Sequence, residues 1–323
     1  VTEPPSAPGA IPITVVTGFL GAGKTSLVNG LVGARAGAER IGIVVNEAGE
    51  IGLDGDLLGD AGDEVVEIAD GCVCCTSQGE LLGAITRLHE AAGPLDRIIV
   101  ETSGLADPGP VLDTLANITH ALRLDTMVTV ADAVHALEQL DRHNSPEVLR
   151  QVQLATHVVV SKSDLVDGDA VESVRARVAA LNPDAQIIVA PRGTLDATLV
   201  LDRFPLAAAD ASGHEHDHEH DHAHLDVEIF SFEIAGELDA ARFDGWLGGL
   251  LMLKAPDLFR IKAILALAGE PRAQIVHGVQ AYVESSSGRE WEPGEPRTSR
   301  VVIIGKDLDS AMWREELERC VAG

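Results

Sequence analysis

The eight residues Gly18-Phe19-Leu20-Gly21-Ala22-Gly23-Lys24-Thr25 constrain the fold of this chain more than any other stretch. They fit G-x-x-x-x-G-K-[ST] and lie between an apolar run, ITVVT (13–17), and a segment of helical spacing over 24–34. Such a loop belongs at a strand–helix junction. There, small residues let backbone N–H groups close around phosphate oxygens, and the helix N-terminus adds its positive dipole end. The nucleotide-binding set read from it is Gly18, Gly21, Ala22, Gly23, Lys24, Thr25 and Ser26. Lys24 is expected to reach the β- and γ-phosphates, and the Thr25 hydroxyl to ligate Mg²⁺.

The next hundred and seventy residues agree with that junction. IGIVVN (41–46), RIIVE (97–101), TMVTVAD (126–132), HVVVS (157–161) and QIIVA (186–190) read as short buried strands, with helical stretches such as 79–92 and 168–181 between them. The pattern predicts an α/β fold, a mostly parallel sheet covered by helices on both faces. After residue 204 it stops, and a small, acidic, His-rich stretch reads as a linker. Then DVEIFSFEI (226–234) alternates as a half-buried strand and ELDAARFDGWLGGLL opens a helix. FRIKAILAL, AQIVHGVQAYVE and RVVIIG read as further strands before a closing helix over 309–320. The organisation expected is a Pro-rich tail (1–11), a phosphate-loop domain (12–204), a linker (205–224) and a smaller α+β domain (225–323). A length of 323 residues accommodates two domains, and 46% hydrophobic residues supply their cores.

The net charge of −27 argues against nucleic acid, which needs clustered Lys and Arg, and favours cations as partners. The start, VTEPPSAPGAIP, has neither the basic nor the apolar region of a secretion signal, and no apolar run approaches the roughly 20 residues that span a bilayer. A cytoplasmic protein with no membrane partner is expected. Three of the four cysteines fall within four residues, Cys72-Val73-Cys74-Cys75. Three thiolates so close can converge on one soft ion, Zn²⁺ above all, with Co²⁺ tolerated, and leave a fourth position open. Glu50 or Glu47, in NEAGEIGLDGD (46–56), could fill it with an oxygen. Buried structural cysteines, a disulfide or a redox pair are the alternatives, and Cys320 reads as a packed thiol.

Base choice falls to Ser161-Lys162-Ser163-Asp164, in the place where GTPases carry Asn-Lys-x-Asp. Asp164 can accept from guanine N1–H and the N2 amine, and the Lys162 stem can cover the base. Ser161 lacks the amide that would support the loop and reach guanine, which leaves strictness for GTP over ATP open. Glu101, closing RIIVE, is the carboxylate expected near Mg²⁺, so the catalytic set is Lys24, Thr25 and Glu101. No residue identifies itself as positioning water, and slow intrinsic hydrolysis is expected. His214, His216, His218, His220, His222 and His224 alternate with acids and small residues in the linker. Neutral imidazoles on one side of an extended chain suit the collection of metal ions.

With TGFLGAGKT, VNEAGEIGLDGD, GCVCC, ETSGLADPGPV, ADAVHA and SKSD, and later FRIKAIL, HGVQ and SRVVIIGKDLD, the chain resembles the CobW-like family of P-loop GTPases over nearly its whole length after the tail. The resemblance implies a metal-binding GTPase that delivers a transition metal to a client metalloprotein. The resulting expectation is a GTP-hydrolysing metallochaperone carrying Zn or Co at the cysteines under nucleotide control. Its rivals are a regulatory GTPase with structural zinc and a His-rich metal buffer. Self-association into a homo-oligomer is left open.

Overall fold

The computed structural model describes residues 10–45, 65–69, 78–104, 106–116, 122–142, 146–202 and 228–322. They divide into two compact units, with the boundary between residues 204 and 205.

The first unit is a seven-stranded sheet of β1 (Ile11–Gly18), β2 (Ile41–Val45), β3 (Val65–Ala69), β4 (Arg97–Glu101), β5 (Leu122–Asp132), β6 (His157–Ser161) and β7 (Gln186–Ala190). The spatial order is β3-β2-β4-β1-β5-β6-β7, and every pairing is parallel. Parallel strands need crossovers on the sheet faces, so the central strands are buried on both sides. Ile13, Val15 and Val16 of β1 and Ile98, Ile99 and Val100 of β4 are all at most 1% exposed. The edge strand β3, VVEIA, is not among the strands read from the sequence, although it is as long as β2, β4, β6 and β7. Because all seven strands run one way, Gly18, Val45, Ala69, Glu101, Asp132, Ser161 and Ala190 end at the same edge.

The second unit is a five-stranded antiparallel sheet of β8 (Glu228–Ala235), β9 (Leu258–Leu265), β10 (Arg272–Val279), β11 (Tyr282–Glu290) and β12 (Thr298–Gly305), in the order β11-β10-β9-β12-β8. Helices Ala240–Lys254 and Ser310–Glu318 pack on it through Phe243, Trp246, Leu250, Trp313 and Leu317 against Phe232, Ile261, Val301 and Ile303. AQIVHGVQAYVE, which reads as one strand, is two: the chain turns at Gln280, whose φ of 53° is left-handed, and Val279 pairs with Tyr282. Cys320 is a buried thiol in this unit, its Sγ 3.4 Å from the Glu316 carbonyl. Among the described residues no helix is long and apolar enough to cross a membrane.

An ion cluster holds together the amino edge of the first sheet. Arg97, at the start of β4 and 2% exposed, donates to Glu39 Oε2 at 2.8 Å, to Asp125 Oδ2 at 2.7 Å and to Asp202. Arg35 pairs with Glu39 at 3.0 Å and with Asp202. Burial works against the Arg97 charge, but the carboxylates of Glu39, Asp125 and Asp202 outweigh it and hold the guanidinium pKa above its usual value. Asp125 has no exposed side-chain surface, so removing Arg97 would take the guanidinium from a buried carboxylate. Arg97→Met is expected to destabilise the first unit by about 3 kcal/mol. All three tryptophans, Trp246, Trp291 and Trp313, lie in the second unit. In urea the backbone circular dichroism should therefore gain an early transition, while the tryptophan fluorescence transition stays in place.

A candidate nucleotide site at the carboxyl edge of the sheet

The phosphate loop leaves β1 at Gly18, where the chain passes close to β5. A Cβ there would lie 2.2 Å from the Val130 carbonyl oxygen, and the φ of 135° is one that side chains rarely adopt. Phe19 N–H then donates to Val130 O at 3.3 Å, and Ala22 N–H turns back to Phe19 O at 3.1 Å. Gly23, with φ 97°, precedes the helix Lys24–Arg35 (α1). Phe19 and Ala22 are buried, which fixes the loop, while Leu20 and Gly21 face outward and Ser26 lies exposed in the first turn of α1. Lys24 is 5% exposed, and its Nζ donates to Phe19 O at 3.3 Å across the loop.

Glu101 comes to this loop from the neighbouring strand. It is in register with Val16 of β1 and is 3% exposed. Its Oε1 accepts from the Thr25 hydroxyl at 2.9 Å. The following segment closes over the loop as well: a Cβ on Gly104 would come 2.7 Å from the Leu20 backbone nitrogen. Gln151, fully buried in the helix Pro146–Gln153, donates from Nε2 to the carbonyls of Gly104 at 3.1 Å and Ala106 at 3.0 Å. Sequence reading assigned nothing to Gly104 or Gln151, since neither belongs to a spacing pattern that announces a role.

The base-reading loop reaches the phosphate loop from the other side. Ser161 is 4% exposed and its hydroxyl donates to Ala22 O at 2.7 Å. Ser161 lacks the amide of an asparagine, but its short hydroxyl makes a tie to the loop because β6 ends directly beside Ala22. Lys162 takes the left-handed φ of 53°, and its Nζ donates to Gly21 O at 2.8 Å and to Asp132 Oδ2 at 2.6 Å. A non-glycine residue in that region is strained, and such strain gathers at functional loops. Asp164 is exposed, and its Oδ1 accepts the Arg192 backbone N–H at 2.7 Å. Each carboxylate oxygen has two lone pairs, so this bond still leaves Asp164 acceptor sites.

Lys24 and Thr25 in the first turn of α1, Glu101 and Ser161 at strand ends, and Lys162 and Asp164 just after β6 thus gather at one sheet edge. Cys72, Cys74, Cys75, Glu47, Glu50 and the six histidines 214–224 lie outside the described residues. The strands that lead into the cysteine and glutamate segments are described, however. Val45, ending β2, is in register with both Glu101 of β4 and Ala69, the end of β3. Among the described residues no group of three or more His, Cys, Asp or Glu is placed to hold a metal ion.

Comparison with known proteins follows the same division into units. Residues 12–189 match the family CobW/HypB/UreG, nucleotide-binding domain, and residues 227–321 match the family Cobalamin synthesis protein cobW C-terminal domain. The chain is 36% identical over 349 aligned positions to the zinc chaperone CobW of Pseudomonas aeruginosa, covering 97% of this chain and 92% of that protein. It is 30% identical over 322 positions to the zinc chaperone YjiA of Escherichia coli, covering 97% and 98%. The crystal structure of Zn(II)-bound YjiA GTPase from E. coli superposes with a TM-score of 0.67 at 25% identity, covering 97% of this chain and all of that one.

Ser161→Ala removes the tie to Ala22 and leaves a buried carbonyl unpaired, a loss of about 1–2 kcal/mol. It should weaken fluorescent GDP binding about tenfold. Titration of the variant against the parent checks this, and Ser161→Thr, which keeps the hydroxyl, should restore binding.

Proposed function

Because the chain belongs to the CobW family, with that family's nucleotide-binding and C-terminal domains in order, we propose that it hydrolyses GTP and carries a transition metal to a client metalloprotein. Zinc is the cargo favoured by the relatives' names, zinc chaperone CobW and zinc chaperone YjiA, with cobalt the other candidate. In this reading Cys72, Cys74 and Cys75 hold the cargo, Glu50 or Glu47 completes the set, and the histidines 214–224 collect ions for it.

The observation that carries the reading is the strand register. Val45 and Ala69 flank the segments with the glutamates and cysteines, and both end in line with Glu101, which is bonded to Thr25 of the phosphate loop. In this reading a displacement at the nucleotide's γ-phosphate has a path from β4 of one strand spacing to the glutamate segment after β2 and of two to the cysteine segment after β3. Metal affinity that differs between GTP and GDP states requires, by linkage, that metal alter nucleotide binding in return. The chain's own groups account for the nucleotide side. The amides of residues 21–25 orient the phosphates, the Lys24 ammonium balances charge on the transferring phosphoryl group, and Asp164 with Lys162 receives the base.

Thr25 and Glu101 present two hard oxygen donors 2.9 Å apart, a donor set that fits Mg²⁺. When bound there, the ion would neutralise charge on the β- and γ-phosphates. Thr25→Ala and Glu101→Gln are both expected to lower GTP turnover by at least about a hundredfold, the order of loss for one lost electrostatic stabiliser. Phosphate release measured against the parent chain checks this.

The cargo reading is tested by Zn²⁺ and Co²⁺ affinity in chelator competition, with GDP and with a non-hydrolysable GTP analogue. The expected result is an affinity change of about fivefold or more between nucleotides. It should vanish in Cys74→Ser and survive deletion of residues 213–224. Equal affinities in both states would leave structural zinc or simple storage as the better account.

A further inference from the structure

The ammonium of Lys162 does not rest on the phosphate loop alone. Its two acceptors are Gly21 O at 2.8 Å and Asp132 Oδ2 at 2.6 Å, and they belong to different elements. In the sheet β5 lies between β1, which feeds the phosphate loop, and β6, which feeds the base-reading loop. Asp132 is the last residue of that middle strand and is in register with Ser161.

Asp132 is itself held rigidly. Its side chain is 4% exposed, its Oδ1 accepts the Val134 N–H at 2.8 Å, and its Oδ2 also faces His135 Nδ1 at 3.1 Å. Burial pushes the carboxyl pKa up, but Lys162, His135 and the Val134 N–H outweigh it and keep the group below its ordinary value. A lysine stem has four carbons and much rotamer freedom to lose. Here the backbone is fixed at one end by the left-handed turn, and the ammonium at the other by a buried carboxylate. What lies between is the four-carbon apolar stem, held at both ends, two positions before Asp164 in the base-reading loop.

We propose that Asp132 is a positioning residue for the nucleobase: by holding the Lys162 ammonium against Gly21 it orders the Lys162 stem as the surface on which the base rests. It sets guanine-nucleotide affinity without touching the nucleotide. This rests on the reading that Lys162 covers the base. Preorganisation of this kind lowers the entropy lost on binding. The Thr25 hydroxyl bonds to Glu101, whereas the Lys162 ammonium bonds to Gly21 and Asp132, so the effect falls on GDP and GTP alike and appears in KM rather than kcat.

The test is titration of the full chain with a fluorescent GDP analogue, in Asp132→Asn, Lys162→Met, the double variant and His135→Ala, with melting temperatures for each. Asp132→Asn and Lys162→Met should each weaken binding about tenfold, the scale set by losing a charge-assisted hydrogen bond. The double variant should bind no more weakly than Lys162→Met alone, and His135→Ala, which removes one contact to Asp132 and leaves that of Lys162, should weaken binding less than Asp132→Asn does. Asp132→Glu, which keeps the charge, should recover part of the affinity. A folding defect in Asp132→Asn would persist in the Lys162→Met background, so additivity of the two changes would overturn the proposal. So would unchanged binding in Asp132→Asn where Lys162→Met is impaired. Unchanged binding in Lys162→Met would overturn the base role of Lys162 itself, and the proposal with it.

Discussion

At Gly18 the backbone of β1 approaches β5 so closely that a Cβ would come within 2.2 Å of the Val130 carbonyl. That contact decides where the phosphate loop starts and which way it faces. The chain leaves the sheet between β4 and β5, bonds Phe19 N–H back to Val130, and enters α1 at Lys24. Everything that reaches the loop then does so from a strand on one side or the other. Glu101 arrives from β4 and Ser161 from β6, while Asp132 at the end of β5 meets the loop through Lys162.

The bonds made there are few, and those of Ser161 and Gln151 are buried. A buried hydroxyl bonded to a carbonyl, or a buried carboxylate bonded to an ammonium, contributes modestly when formed and costs much more when one partner is lost. The loops of the nucleotide site are therefore tied to one another. Ser161 and Lys162 hold Ala22 and Gly21, Thr25 meets Glu101, and Gln151 holds the carbonyls on either side of residue 105. A parallel sheet makes this coupling possible because it brings every strand end to one edge. The opposite edge carries the Arg97 ion cluster, which ties the end of α1, the starts of β4 and β5 and residue 202 together. The two edges thus divide the work: ion pairing for cohesion at one, ligand groups at the other.

The second unit is built on another principle. Its two helices and antiparallel sheet meet through an aromatic centre, with Trp246 set edge-on to Trp313 and its indole N–H bonded to the Trp313 carbonyl at 3.0 Å. In a chain with only 3% aromatic residues, placing all three tryptophans in this unit concentrates large apolar surface where the smaller sheet needs it.

The phosphate loop, the parallel sheet and the α+β character of the second unit were all readable from the sequence. Each is a local pattern: an all-apolar run marks a strand buried on both faces, and the G-x-x-x-x-G-K-T string marks the junction after it. Short elements were less readable. The strand VVEIA was not singled out although its Val and Ile suit a strand, and HGVQAYVE hides a hairpin because Gln280 carries the left-handed turn where Asn or Gly would advertise it. The tertiary structure alone decided what Ser161 and Asp132 do. A serine in place of asparagine looks like a lost contact until β6 is seen to end 2.7 Å from Ala22, and Asp132 looks like an ordinary strand-end acid until Lys162 is folded onto it. Those roles depend on distances between residues 30 to 139 positions apart, which the order of strands in the sheet fixes and no local pattern in the chain records.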